Sequence, residues 1–161
     1  MQSTSRDTAL VVERVIRAPR ERVFRAFTDP ALLTRWWVPA GAVLTHCTVD
    51  LRVGGMFLTC MRFPDGKVFW GRGVYREIAP PERLAFVDSF SNERGEVVSP
   101  TEYGMSPEHP AESLVEVRLE PVAEGTRVTL RHELPLVLKE REGTSEGWTA
   151  MLAQLAATVE A

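Results

Sequence analysis

The stretch near the end of the chain, Trp148-Thr149-Ala150-Met151-Leu152-Ala153-Gln154-Leu155-Ala156-Ala157-Thr158-Val159, decides the fold. Its apolar residues are spaced as one face of an α-helix. They are Trp148, Met151, Leu152, Leu155 and Val159. Thr144 or Ser145 is placed to cap the start of that helix. A helix of about 16 residues would span roughly 24 Å, which is enough to cross a whole sheet.

Most of the chain before this helix is patterned as β-strands. A first strand is expected at Leu10–Arg17 and is followed by two short helices. The first of these begins at Pro19, and the second is capped by Asp29 with Pro30 at its first position. From Val43 the period changes to two, which predicts six further strands. The order predicts an α+β helix-grip fold, in which a curved seven-stranded antiparallel sheet wraps around one long C-terminal helix.

One long loop interrupts the strand pattern. Residues 91–110 contain several Gly and Pro residues with little periodicity, and a loop of this length in a compact domain often closes over a binding site. No repeat or linker divides the chain. We therefore expect residues 8–160 to form a single domain, a size that suits one full core.

Composition excludes several classes of function. The net charge is −3, and the 19 basic and 22 acidic residues are interspersed, so we expect no nucleic-acid partner. The N-terminus lacks the apolar core of a signal peptide, and no apolar run reaches membrane-spanning length, so a cytoplasmic protein without membrane insertion is predicted. Cys47 and Cys60 are then expected to be free thiols.

Short motifs follow one another in an order that is typical of a known family. They are Arg17-Ala18-Pro19 with Val23-Phe24, Thr28-Asp29-Pro30 with Trp36-Trp37, Asp50-Leu51-Arg52-Val53-Gly54-Gly55, Met61-Arg62-Phe63-Pro64-Asp65-Gly66, Glu77-Ile78-Ala79-Pro80-Pro81-Glu82-Arg83-Leu84, and Gly147-Trp148 with Leu152 and Leu155. In this combination the chain resembles the bacterial relatives of the C-terminal domain of the activator of heat-shock protein 90 ATPase. These belong to the START-like (SRPBCC, Bet v-like) superfamily, and the resemblance covers nearly the whole chain.

The resemblance implies a cavity between helix and sheet that holds an apolar small molecule. It does not imply a shared catalytic set. We expect no cofactor. The eukaryotic activator also binds its chaperone through an additional N-terminal domain, for which this chain is too short, so chaperone activation is not expected. The sequence leaves a homodimer open.

Aromatic and sulfur-containing side chains are the candidates for the cavity wall. Trp36 and Trp37 point about 100° apart on a helix, so one should pack in the core while the other borders the cavity. Phe57 and Met61 share one face of a strand, and Trp70 lies on the next strand. The predicted ligand-binding residues are Trp36, Trp37, Phe57, Met61, Trp70, Tyr103, Met105, Trp148, Met151, Leu152 and Leu155.

Three ionisable residues are candidate polar groups of the pocket. Asp88 alternates with apolar residues and would have a raised pKa if it stayed unpaired, although pairing with an arginine or exposure at the strand end is the more common arrangement. Glu77 shares a predicted face with Tyr75 and is treated in the same way. His132 is expected to be a half-buried histidine with its hydrogen bonds satisfied. No spacing suggests a metal site.

These observations leave three functions open. A carrier would have a cavity lined by apolar groups. A cyclase, dehydratase or hydrolase would need converging ionisable groups in that cavity. A protein-interaction domain would expose a large apolar patch elsewhere. The sequence favours the first of the three.

Overall fold

The computed structural model describes residues 9–39, 41–135 and 138–160, which form seven strands and three α-helices. The strands are β1 (Ala9–Ile16), β2 (Val43–Val49), β3 (Met56–Arg62), β4 (Val68–Ala79), β5 (Arg83–Ser91), β6 (Ser113–Val122) and β7 (Gly125–Glu133). The helices are α1 (Arg20–Thr28), α2 (Pro30–Trp36) and α3 (Arg141–Glu160). None of the helices in this described part is long and apolar enough to cross a membrane.

All seven strands belong to one antiparallel sheet. Their order is β1-β7-β6-β5-β4-β3-β2, so β1 and β2 are the two edges of an open sheet. One face of the sheet, called here the inner face, packs against the helices. The predicted helix-grip architecture is confirmed.

Helix α3 buries the apolar stripe that the sequence predicted. Its buried side chains are Trp148, Met151, Leu152, Leu155, Ala156 and Val159. The predicted start is wrong, because the helix begins at Arg141 and has 20 residues. Thr144 therefore lies inside the first turn, where its N–H and its Oγ1 both donate to the carbonyl of Glu140, each at 2.9 Å. It is not a cap.

The two short helices place two consecutive tryptophans in different surroundings. Asp29 caps α2 by accepting a hydrogen bond from the N–H of Ala31, and Pro30 follows it as predicted. Trp36 is fully buried, and its Nε1 donates to the carbonyl of Ala26 at 2.9 Å. Trp37 turns the other way, towards the sheet.

Gln154 fixes the end of α2 against α3. Its Nε2 donates to the carbonyls of Trp36 and Val38, at 3.2 and 2.6 Å. These two carbonyls flank Trp37 in the chain. The position of the Trp37 side chain is thus tied to α3 from both sides.

The long segment between β5 and β6 is a loop, as predicted, with one short 3-10 helix at Pro100–Tyr103. The hydroxyl of Tyr103 donates to the carbonyl of Ser91 at 2.7 Å and accepts from the N–H of Trp70 at 3.3 Å. It thereby bridges β4 and β5 where their ladder ends. Further along, Glu140 accepts hydrogen bonds from the N–H and the hydroxyl of Ser106, which tie the loop to the residue before α3.

Candidate functional site

A cavity of about 320 Å³ lies between the inner face of the sheet, the start of α3 and the long loop. Its volume is at the lower end of the range for small-molecule sites, roughly 300–1,000 Å³. Strands β3, β4, β5 and β6 form one side, and α3, the residue after α2 and the loop form the others. The lining residues are Trp37, Phe57, Thr59, Met61, Phe63, Phe69, Trp70, Gly71, Arg72, Asp88, Ser89, Phe90, Met105, His109, Pro110, Ser113, Trp148 and Met151.

The cavity exists partly because a glycine occupies the middle of β4. Gly71 pairs with Thr59 on one side and with Phe90 on the other. A Cβ at this position would lie 3.6 Å from the carbonyl of Ser89 and 3.9 Å from the hydroxyl of Thr59, which are ordinary contacts. The space above Gly71 is therefore open because no side chain fills it.

Aromatic rings close the inner end of the cavity. The Trp37 ring meets the rings of Phe57 and Trp148 edge to face, with centroids 5.6 and 5.4 Å apart. Phe57 in turn meets Phe86 in the same geometry at 4.9 Å. Edge-to-face contacts of this kind favour one relative orientation of the rings and add stabilisation to that from burial of apolar surface. This wall is preorganised by contacts among β3, β5, α3 and the end of α2.

The loop supplies the opposite wall. The ring of Tyr103 packs against those of Phe69 and Phe90, with each pair of centroids 5.2 Å apart. Gly104 follows in the left-handed conformation, with φ of +83°, which favours glycine. The chain then turns so that Met105 borders the cavity.

One carboxyl group interrupts the apolar lining. About 40% of the Asp88 side-chain surface is accessible, and Asp88 lines the cavity. The protein atoms packed around the carboxylate replace part of its hydration shell, and this desolvation raises the pKa of Asp88 to about 7. The expected arginine partner is absent among the described residues, where the ionisable contact of Asp88 is His132, with Nε2 at 4.0 Å from the carboxylate. The ion pair with an arginine is thus not found here, and the side chain is partly accessible where it borders the cavity.

His132 lies next to Asp88, and 5% of its surface is exposed. Its Nδ1 accepts a hydrogen bond from Trp148 Nε1 at 3.1 Å, since an indole N–H can only donate. Burial, helped by the nearby His109, lowers the pKa of His132 to about 4, so the ring is neutral at pH 7. The proton must then sit on Nε2, which donates to the Ser113 hydroxyl at 2.7 Å. His132 is a satisfied histidine, as predicted.

This order of hydrogen bonds is the reverse of that in a serine hydrolase. A general base needs a free imidazole nitrogen to take the serine proton, while a carboxylate holds the proton on the other nitrogen. Here the lone pair of His132 points at Trp148, and Ser113 receives a hydrogen bond from the ring. Ser113 keeps its own proton and is not activated as a nucleophile.

Several residues predicted for the wall do border the cavity. These are Trp37, Phe57, Met61, Met105, Trp148 and Met151, together with Trp70 and the polar candidate Asp88. Trp70 differs from the rest in orientation. It pairs with Cys60 across the ladder, and its ring lies 5.4 Å from that of His46, on the outer face. Because side chains alternate along a strand, the backbone of Trp70 is the part that reaches the cavity.

Other predicted residues lie outside the cavity. Trp36 is sealed between α1 and α2, and the Tyr103 ring is covered by its two aromatic neighbours. Leu152 and Leu155 are 1% and 0% exposed and belong to the hydrophobic core beyond the cavity. The 3.6-residue period identifies the buried face of a helix, but not which part of that face meets a cavity and which part meets core.

The prediction that Glu77 shares a face with Tyr75 is wrong. The β4–β5 ladder contains a register shift between these two residues, so that Tyr75 pairs with Phe86 but Glu77 pairs with Ala85. The additional residue reverses the alternation and turns Glu77 to the outer face. There it accepts a hydrogen bond from Arg83 Nε at 3.1 Å. It is paired with an arginine, as expected, and does not enter the cavity.

Sequence reasoning missed several lining residues. Phe63 shares a face with Phe57 and Met61, and Phe90 shares one with Asp88, so the period of two could have identified both. Phe69 was missed because Trp70 was chosen on the same strand. Its pairing with Met61 turns it inwards. The loop and β6 residues His109, Pro110 and Ser113 carry no such signal, because their positions depend on the path of the loop.

The two thiols lie on opposite faces of the sheet. Cys47 pairs with Thr59, and Cys60 pairs with His46, so their side chains point away from each other, and both are free. Burial, with a contribution from Asp29, raises the pKa of Cys47 to about 11. No group of three or more His, Cys, Asp or Glu side chains converges within the described part of the chain.

Comparison with known proteins identifies relatives of this fold. Residues 17–160 match the family model described as activator of Hsp90 ATPase homolog 1-like protein. No curated protein matches the chain. Among solved structures, a protein from Chromobacterium violaceum is 30% identical over 96% of this chain and 99% of its own, with a TM-score of 0.79.

Two further solved structures are similar in the same way. A protein from Nitrosomonas europaea is 29% identical with a TM-score of 0.78, covering 96% of this chain and 95% of its own. A protein from Silicibacter pomeroyi that carries the name AHSA1 is 26% identical with a TM-score of 0.74, covering 94% and 97%.

Proposed function

The chain belongs to the family of activator of Hsp90 ATPase homolog 1-like proteins, and from the cavity enclosed by its START-like fold we propose that it binds a small apolar molecule there. The observation that supports this most is the lining itself. Aromatic and methionine side chains from β3, β4, β5, the loop and α3 converge on one space of about 320 Å³. A mostly apolar pocket with few polar groups is the usual form of a small-molecule site.

The cavity favours binding over serine-based hydrolysis. Ser113 and His132 are hydrogen-bonded to each other, but in the order that leaves the serine unactivated. The enzyme alternative then depends on Asp88 alone, a single carboxyl group among apolar walls. One such group is sufficient to orient a ligand.

The surface offers less support for a protein-interaction function. The large apolar side chains that the described residues expose are scattered over several elements. They are Val11 and Val15 in β1, Val43 in β2, Leu51 and Val53 in the β2–β3 connection, Val68 at the start of β4, and Val97 in the loop. Single exposed apolar residues are normal on soluble proteins.

Binding of the uncharged dye N-phenyl-1-naphthylamine tests this proposal. We expect its fluorescence to rise on addition of the folded protein, with saturation at micromolar dye. Met61→Trp should weaken binding because the larger side chain fills the cavity. The matched control is Arg62→Trp, since the neighbouring side chain is exposed and points away from Met61. Absence of saturable binding to the wild type, or equal binding by both variants, would contradict the proposal.

A further inference from the structure

The polar end of the cavity is rich in hydrogen-bond acceptors. Asp88 presents a carboxyl group for which no hydrogen bond is found within the described residues, and 40% of its side-chain surface is accessible. His109 also lines the cavity. Its Nδ1 lies 3.2 Å from the carbonyl of Pro110, which can only accept, so Nδ1 donates there, and Nε2 is an acceptor whenever the ring holds this single proton.

Donors are scarce at the same place. The Ser113 hydroxyl accepts from His132, and its own proton remains free. Ser89 Oγ and Arg72 Nε are also without a partner among the described residues, but these two residues pair with each other in the ladder, so their side chains lie on the face opposite to Asp88. His132 has both ring nitrogens engaged and is neutral at pH 7. A ligand group with donors of its own therefore matches this end of the cavity once Asp88 is ionised.

Arg72 is the one lysine or arginine among the described lining residues, and its charge is directed elsewhere. It pairs in register with Ser89, one residue from Asp88, and so its side chain lies on the outer face. There its NH1 donates to the carbonyl of Gly95 at 2.9 Å, and its NH2 lies 3.7 Å from Glu112. The Asp88 carboxylate has no cation of the protein beside it.

We infer that the ligand is a small apolar amine, whose hydrocarbon body fills the aromatic part of the cavity and whose ammonium group contacts the carboxylate of Asp88. This inference rests on the proposed binding function and names the chemical class of its ligand. An ammonium group offers three donors and a positive charge, which match the acceptors and the unpaired carboxylate. A fatty-acid anion would instead place a second negative charge against Asp88.

Three ligands that share a phenyl ring but differ in their polar group show how much the headgroup contributes to affinity. They are 2-phenylethylamine, 2-phenylethanol and 3-phenylpropanoate, measured at pH 8 by displacement of N-phenyl-1-naphthylamine. For the wild type we expect the amine to bind about tenfold more tightly than the alcohol, as for a charge-assisted hydrogen bond. The carboxylate should bind most weakly of the three.

Two variants that each remove one negative charge, at different sites, show whether Asp88 causes the preference for the amine. Asp88→Asn should bind the amine and the alcohol with affinities within about twofold of each other. Glu77→Gln removes the same charge from the outer face, where Glu77 pairs with Arg83, and should keep the tenfold preference. Dye binding by Asp88→Asn shows that the variant is folded.

The pH dependence of the wild type gives a test that needs no variant. Because the pKa of Asp88 is about 7, raising the pH from 6 to 8.5 ionises it while the alkylammonium, like lysine, stays protonated. Amine affinity should rise over this range, and alcohol affinity should stay nearly constant. His109 and His132 also face this end of the cavity, so the titration is repeated with Asp88→Asn, in which the rise should be absent. A rise that persists in Asp88→Asn would assign the pH dependence to another group.

The outcomes separate this inference from the function on which it rests. Equal affinities for amine and alcohol in the wild type, tighter binding of the carboxylate, or a preference that survives in Asp88→Asn would overturn the amine. In each of these cases, binding of the dye would still support the proposed apolar binding site. If neither the dye nor any of the three ligands binds, the proposed function fails and the inference fails with it.

Discussion

Two glycines in β4, only two positions apart, should tolerate a side chain very differently. A Cβ at Gly73 would overlap the ring of Phe57 and would lie 2.9 Å from Phe86 Cδ2, whereas a Cβ at Gly71 meets only ordinary contacts. Gly73→Ala must therefore move rings that form the inner wall of the cavity.

We expect Gly73→Ala to lower the free energy of unfolding by about 1–3 kcal/mol, as in other overpacked cores. Gly71→Ala should be neutral or slightly stabilising, because alanine reduces the freedom of the unfolded chain. Urea denaturation of the two variants and the wild type measures both effects. Equal stability of the two variants would show that Phe57 does not lie over Gly73.

Asp88 should make the protein less stable as the pH rises from about 4 to 7. An aspartate in the unfolded chain ionises near pH 4, while the folded pKa is about 7. In this window the folded state holds a proton that the unfolded state has lost, so stability falls with rising pH. His132 acts in the opposite direction, because its folded pKa is lowered to about 4 and its stabilisation is lost as the pH falls below about 6.5.

The difference between Asp88→Asn and the wild type isolates the contribution of the carboxyl group. We expect the variant to gain stability relative to the wild type as the pH is raised from 4 to 7, with a constant difference above about pH 8. Thermal unfolding across this range provides the measurement. A difference that does not change with pH would mean that Asp88 is solvated like an exposed carboxylate.

At the scale of the secondary-structure elements, α3 contributes six buried side chains to the hydrophobic core. Leu152 and Leu155 are buried beneath it, in the core shared with β1, α1 and α2. Leu152→Ala and Leu155→Ala should each cost about 2–5 kcal/mol in urea melts. Thr149→Ala, at an exposed position of the same helix, should cost less than about 0.5 kcal/mol. Losses as small as this control at both leucines would show that α3 does not dock on the sheet as described.

The elements were predictable where periodicity is strong and were less so where tertiary contacts intervene. The stripe of α3 and the Asp29-Pro30 start of α2 follow from local rules of spacing and capping. The register shift after Tyr75 and the start of α3 at Arg141 do not, because each depends on contacts that no local pattern records. Glu77 and the cap at Thr144 were misplaced for this reason.

At the scale of the whole molecule, the sequence indicated a cavity better than it indicated the chemistry of its lining. Aromatic residues on separate elements predicted a common space, since a helix-grip sheet brings them together. The environment of Asp88 was not predictable, because it depends on the loop that carries His109 and on the outward direction of Arg72. These arrangements join residues far apart in the chain.

A methyl spectrum of protein labelled with ¹³C at its methionines, recorded during titration with naphthalene, shows directly whether an apolar molecule enters the cavity. Met61, Met105 and Met151 line the cavity from β3, the loop and α3, while Met56 lies on the outer face against Gly95. We expect saturable shifts of the first three methyl signals and almost none for Met56. If the four signals shift alike, or only Met56 responds, the cavity is not the binding site.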